Sequence, residues 1–221
     1  MTKAKNISID VLPLGELAAN CYLVGRNGSH KVVCIDPGSE GEKLVAYLKD
    51  KEFALDMILL THAHVDHIGA VAELKRCFPE VPLLLHREEE IALKDPERNL
   101  SCFFSEIISL GGADRLLEDG ETFEAAGLDW TAIWTPGHTA GGACYLASDP
   151  LSSEQALFTG DTLFKESIGR TDLPGGNYGE LLKSLKEKLF TLPADLKVYP
   201  GHGEDSSVGY EKEFNPYARL C

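Results

Sequence analysis

Residues 55–67 read LDMILLTHAHVDH, an apolar run that ends in three imidazoles and a carboxylate within the six residues from His62 to His67. The run has the length and composition of a buried strand that delivers its C-terminal end to a site. The H-x-H-x-D-H spacing would impose mutual charge repulsion and desolvation without a cation to compensate, so it predicts metal binding. It also limits the scaffold. Strand ends are where an α/β architecture presents its chemistry, and the chain must bring further ligands to the same edge.

Further ligands are present. His138 and His202 each follow Pro-Gly, in TPGHT and YPGHG, and Asp161 follows a strand-like run in LFTGDT. Side chains two apart in an extended segment point the same way, so His62 and His64 converge on one ion. Asp66 and His67 are adjacent at the start of the next helix and reach a neighbouring position. Four protein ligands with water fill a zinc-like shell, so seven candidates are too many for one ion. The economical partition gives His62, His64 and His138 to the first metal and Asp66, His67 and His202 to the second, with Asp161 bridging. The expected cofactor is two divalent ions, zinc first, with iron or manganese compatible with the same donors. Two ions about 3.5–4 Å apart can lower the pKa of a water and polarise an acyl or phosphoryl oxygen, which makes hydrolysis the natural reaction. His30 and His86 lack such company; the first reads as a turn residue, the second as a helix-start or packing residue.

The rest of the chain fits one domain over residues 1–221. Strands are expected in ISIDVLPL, CYLVGR, KVVCIDPG, VPLLLH, GACYLAS, QALFTGD and LKVYPGHG, and a hairpin turning at Gly127 within ETFEAAGLDWTAIWTPGH. Helices are expected in SEGEKLVAYLKDK, opened by a Ser39–Glu42 capping box, in IGAVAELKRCF up to Pro79, and in YGELLKSLKEKLFTL. The aperiodic segment KDPERNLSCFFSEIISLGG reads as a loop or short helices walling a pocket. Within it Phe103 and Phe104 are expected in the core first and as a pocket wall second. This order of strands and helices implies sheets covered by helices, an α/β or α+β domain.

Composition excludes several roles. With 21 Lys+Arg against 35 Asp+Glu the net charge is −14, which repels nucleic-acid backbones and anionic lipid. No apolar run approaches the roughly 20 residues that span a bilayer. The N-terminus lacks the apolar core of a secretory signal, so a soluble, cytoplasmic chain is expected. The six cysteines form no C-x-x-C pair and read as reduced and mostly buried.

With THAHVDHIG, TPGHT, GDTLF continuing into SIGRTDLPGG, and YPGHG in place, the chain resembles the metallo-β-lactamase superfamily, and within it the glyoxalase II-like hydrolases. The resemblance implies a four-layer αββα sandwich of two mixed sheets flanked by helices, with the dinuclear site at one edge. It implies the same ligand partition with a bridging hydroxide as nucleophile, and Asp66 is the expected catalytic residue. Asp36, in DPG, matches a carboxylate that orients a ligand histidine; on its own it reads equally as a strand-end turn residue. Arg170 stands where glyoxalase II has a basic residue that contacts glutathione, so it is a substrate-binding candidate; it can equally pair with Asp172 and brace its loop. Tyrosines expected beyond Arg170 and His202 are here Asp172 and Glu204, and the chain runs only 19 residues past His202, short of a C-terminal helical domain. The implied partner is a small acyl thioester or ester, with glutathione disfavoured. An alternative in the same superfamily is a mononuclear iron persulfide dioxygenase, which shares G-R-T-D but reads P-A-H-D where this chain has PGHG.

Overall fold

The computed structural model describes residues 6–220. The chain begins with β1 (Ile7–Leu14), β2 (Ala19–Arg26) and β3 (Lys31–Ile35), then α1 (Gly41–Asp50) and β4 (Ala54–Leu59). The short helices α2 (Val65–Ile68) and α3 (Val71–Cys77), then β5 (Leu83–His86), α4 (Glu90–Lys94) and β6 (Arg115–Leu117), complete the first half. These six strands form one sheet in the order β1-β2-β3-β4-β5-β6. It is antiparallel through β3 and parallel from there.

The second half opens with β7 (Thr122–Ala125), β8 (Leu128–Trp134), β9 (Ala143–Ser148) and β10 (Gln155–Gly160). A two-stranded ribbon follows, β11 (Leu163–Phe164) with β12 (Ser167–Ile168), and then α5 (Tyr178–Ser184). The chain closes with β13 (Lys197–Pro200), β14 (Ser206–Ser207) and α6 (Val208–Phe214). The second sheet runs β14-β13-β10-β9-β8-β7, with β10 and β13 parallel and its other pairs antiparallel.

Burial explains why the strands read as continuous apolar runs. Successive residues of β2, β3, β4 and β5 point to opposite faces, and both faces are covered. Tyr22, Val24, Val33, Ile35, Leu59 and Leu84 face Trp130, Tyr145 and Phe158 of the second sheet. Leu23, Cys34, Ile58 and Leu85 face Leu44 and Leu48 of α1, Leu74 of α3 and Leu93 of α4. On the far side Leu157 and Val198 meet Leu185, Leu189 and Val208. Helix, sheet, sheet and helix therefore stack in four layers, the αββα sandwich expected.

Local readings differ in two places. The Ser39–Glu42 capping box does not form: α1 is entered through Glu40 in the left-handed region (φ 52°), with no side-chain cap. The cause is close approach. The chain at Gly38 lies against the turn that carries Asp66, where an added Cβ would sit 1.8 Å from the Asp66 carbonyl oxygen, and Glu40 is drawn away to accept from the Gly15 N–H. Phe103 and Phe104 are exposed, not core, because a 3₁₀ turn (Ser101–Phe103) tied through the buried Asn99 and Ser101 to Ile108 lifts them outward. Cys21, Cys34 and Cys144 are buried free thiols and Cys77 is half-buried, whereas Cys102 is exposed; Cys221 lies outside the described residues. His30 sits in an exposed bend. His86 caps the short turn after β5 and stacks on Trp134 at 5.3 Å. No helix among the described residues is long and apolar enough to cross a membrane.

Candidate metal centre

Four strands end at one edge of the sandwich, and each is followed within three residues by a polar side chain aimed into the same space. Asp36 follows β3, His62 and His64 follow β4, Asp161 follows β10, and His202 follows β13. His138 joins them from the turn after β8, and α2 adds Asp66 and His67. Tight backbone contact makes the convergence possible. At Gly201 a Cβ would sit 2.3 Å from Asp161 Oδ1 and 2.8 Å from His67 Cε1, so the residue before His202 has to be glycine.

The structure brings the seven candidates together as two trios. Donor atoms of His62, His64 and His138 lie within 4.8 Å of one another, and so do those of Asp66, His67 and His202. Asp161 stands between them: Oδ1 is 3.5 Å from His67 Nε2, and Oδ2 is 3.6 Å from His138 Nε2 and 3.7 Å from His202 Nε2. Four buried polar atoms lack a hydrogen-bond partner: His62 Nε2, His64 Nε2, His67 Nε2 and Asp161 Oδ1. Orphaned donors and acceptors in a buried site cost free energy. One cation held by the first trio would satisfy His62 and His64, and a second held by the other would satisfy His67, with Asp161 between them, so these residues fit a pair of divalent ions.

The trios differ electrostatically. Burial, then the neighbouring imidazoles, holds His62 well below the usual histidine range; the same causes take His64 to about 3 and burial lowers His138. All three are neutral and ready to ligate. In the other trio burial is outweighed: Asp66, Asp161 and Asp36 raise His67 to about 10, and Asp66 raises His202. Asp66 in turn is held well below the carboxylate range by His67 and His202, despite its burial.

A further set of groups orients these ligands. Asp36 accepts from the Thr61 N–H (2.8 Å), the Thr61 hydroxyl (2.6 Å) and His67 Nδ1 (3.0 Å), which fixes the ring of His67. It does so from a left-handed backbone (φ 50°). Its oxygens are thereby engaged, so the nearness of Asp36 to His62 and His67 does not make a third ligand group. His138 Nδ1 donates to the Arg170 carbonyl (2.7 Å), and His202 Nδ1 donates to the Leu17 carbonyl (3.1 Å). The Arg170 guanidinium forms a two-point pair with exposed Asp172 (2.7 and 2.8 Å), so its backbone touches the centre and its side chain does not.

Sequence reasoning passed over two residues. Glu89, in REEE, reads as a solvated acid but is 1% exposed and accepts three hydrogen bonds; its one legible signal was the i,i+4 spacing to the core residue Leu93. Asn20 donates its amide to the carbonyls of Pro200 and Gly203 (both 3.0 Å) and so grips the turn of His202. Nothing in its local sequence marks it.

A cleft of about 810 Å³ opens beside Asp66. Leu17, Phe104 and Ile108 line it together with six carboxylates, Glu16, Glu40, Glu42, Asp66, Glu73 and Glu106, and no Lys or Arg.

Residues 14–202 match the Metallo-beta-lactamase superfamily. The chain is 37% identical to a probable metallo-hydrolase of Bacillus subtilis, over 93% of this chain and 95% of that one. It is 31% identical to a hydroxyacylglutathione hydrolase of Haemophilus influenzae, with 96% and 98% covered. Among solved structures, a protein in a di-iron-bound form superposes with a TM-score of 0.81 at 36% identity, covering 94% of this chain and 99% of that one. With residues 14–202 matched, the fold in four layers and seven candidate ligands at one edge, the chain belongs to the metallo-β-lactamase superfamily of metallo-hydrolases.

Proposed function

We propose that this protein is a dinuclear metal-dependent hydrolase of small acyl thioesters or related esters. The observation that carries the reading is the pairing of two complete ligand trios across Asp161. In this reading His62, His64 and His138 hold one divalent ion and Asp66, His67 and His202 the other, with Asp161 shared. Zinc is the first expectation for both; the di-iron form of a relative keeps iron in play. When bound, such ions lower the pKa of water and polarise an acyl oxygen.

The chain's own groups do the rest. Asp66, 18% exposed and ionised, faces the cleft and accepts a hydrogen bond that orients the attacking water. Its depressed pKa makes it an acceptor and not a proton store. Asp36, through Thr61 and His67, holds both trios in register. A thioester suits this arrangement because a thiolate, with a pKa near 8.5, leaves without a general acid. The acidic cleft disfavours anionic leaving groups, so thioesters of neutral or cationic thiols should outrun those of glutathione. Arg170, at the rim, is the candidate contact for any carboxylate a substrate does carry.

The test is metal analysis with a hydrolysis panel of acyl thioesters, S-lactoylglutathione included. Two equivalents and turnover of some member are expected. A metal-replete protein inactive across the panel refutes the reading, and one iron with rapid oxygen uptake on glutathione persulfide replaces it by a dioxygenase.

A further inference from the structure

The turn after β4 and the turn after β8 belong to different sheets, yet one buried side chain joins them. Glu89 Oε1 accepts from the Ala63 N–H at 2.9 Å, and Oε2 accepts from the Thr139 hydroxyl and the Gly141 N–H, each at 2.9 Å. Ala63 lies between His62 and His64, and Thr139 follows His138. Every ligand of the three-imidazole trio is therefore one residue from a Glu89 partner, and none of the other trio is. The packing leaves no slack: at Gly141 a Cβ would lie 2.1 Å from the Glu89 nitrogen. The two backbone N–H groups, one on each oxygen, can only donate, so an acid group satisfies both, whereas an amide would turn its NH2 toward one of them; burial raises the pKa of this carboxyl and the three hydrogen bonds oppose that rise. At 1% exposure the carboxyl is nearly inaccessible to water, and its three hydrogen bonds all go to the turns that carry the three imidazoles.

We propose that Glu89 is the positioning residue of the three-imidazole half-site: its carboxylate sets the spacing of His62, His64 and His138 for a divalent cation and leaves the Asp66–His67–His202 half-site alone. The inference rests on the dinuclear reading above. A partner that orients ligands without touching the metal is worth about 10–100-fold in affinity when lost.

The experiment titrates cobalt(II) into the metal-free full-length protein, following visible absorption and bound equivalents. His64→Ala and His202→Ala identify which phase belongs to which half-site. Glu89→Gln, which keeps shape but turns an amide toward at least one donor, should weaken the phase abolished by His64→Ala about 10–100-fold. The other phase should keep its affinity. Thr139→Val removes a single donor and should weaken the same phase by a smaller factor. Equal weakening of both phases reveals a merely structural residue and overturns the proposal, as does no change in either. Should Glu89→Gln not fold, Thr139→Val decides alone, and an unchanged cobalt affinity there overturns it. Wild-type saturation at one equivalent defeats the dinuclear reading instead, leaving Glu89 to be judged on that equivalent.

Discussion

The two half-sites are built from similar donors yet differ in electrostatic setting. His62, His64 and His138 are at most 5% exposed, and their rings crowd one another with His138 Nε2 3.0 Å from His64 Nδ1. Burial keeps them neutral, and a buried carboxylate braces their turns from behind. The second trio opens to the cleft, with the Asp66 and His202 side chains 18% and 29% exposed, and it is held by its own ion pairs. There the carboxylates of Asp66, Asp161 and Asp36 outweigh burial and favour a protonated His67. One half-site is shaped by packing and the other by charge, and each should fail in its own way.

Asp66→Ala strikes the charged half-site hardest. Without its anionic ligand that half-site should lose its metal, and the cleft loses the acceptor that orients water. Loss of an interaction worth several kcal/mol predicts a fall in turnover on the order of 10³-fold or more. The residue is not part of an apolar core cluster, so the fold should persist, with the metal-free protein losing the stability that Asp66 lends to protonated His67 and His202. Unchanged activity would remove Asp66 from the site. Bound metal should fall from two equivalents to one, whereas His64→Ala should leave the equivalent at the second trio.

Acid and alkali should also tell the halves apart. A histidine kept neutral by burial binds its proton more readily in the unfolded chain, so the stability due to His62, His64 and His138 is present above about pH 6.5 and lost as pH falls below it. The loss continues with falling pH until each folded value is reached, about 3 for His64. His67 has the opposite sign: its contribution is full below about 6.5 and disappears as pH rises through about 10. Metal-free protein should therefore be most stable near neutral pH and fall more steeply on the acid side. Metal uptake at neutral pH should release protons only with the phase that His202→Ala abolishes, read by an indicator dye in weak buffer. Proton release with both phases would erase the distinction drawn here.

How much of this was legible in the sequence follows the same division. Candidate ligands show because five histidines and Asp161 at four strand ends are too dense for chance, and strands buried on both faces, such as β2 with ANCYLVGR, show as apolar runs. Groups that act through a fold contact do not show. Glu89 sits among Glu88 and Glu90, which face solvent or half-solvent, and only its docking beneath two distant turns buries it. Asn20 meets the His202 turn 180 residues away. Glu40 breaks the capping pattern for the sake of a close approach between segments that no local signal reports.

Asp36 spans both halves and so sharpens the comparison by a smaller amount. Asn tolerates the left-handed backbone that Asp36 adopts, so Asp36→Asn removes charge without adding strain. The second half-site, whose His67 it holds directly, should weaken about 10–100-fold in metal titration. The first feels Asp36 only through Thr61, whose hydroxyl lies 3.1 Å from His62 Nδ1, and should weaken less. The reverse order would contradict the assignment of Asp36 to His67.

Arg170 gives the smallest effect and tests the rim rather than the centre. Its carbonyl holds His138 whatever the side chain, so Arg170→Ala should leave metal content and kcat near those of the native protein. The guanidinium pairs with Asp172 in open solvent, where water and salt screen such pairs and fold stability should hardly change. A substrate carboxylate that displaced Asp172 would gain a contact screened in the same way. KM for a carboxylate-bearing thioester should accordingly rise by no more than about fivefold in Arg170→Ala and fall in Asp172→Asn, with neutral thioesters unaffected. If both substrate classes respond alike, Arg170 braces its loop and nothing more, and selection of the acyl group belongs to the acidic cleft on the Asp66 side.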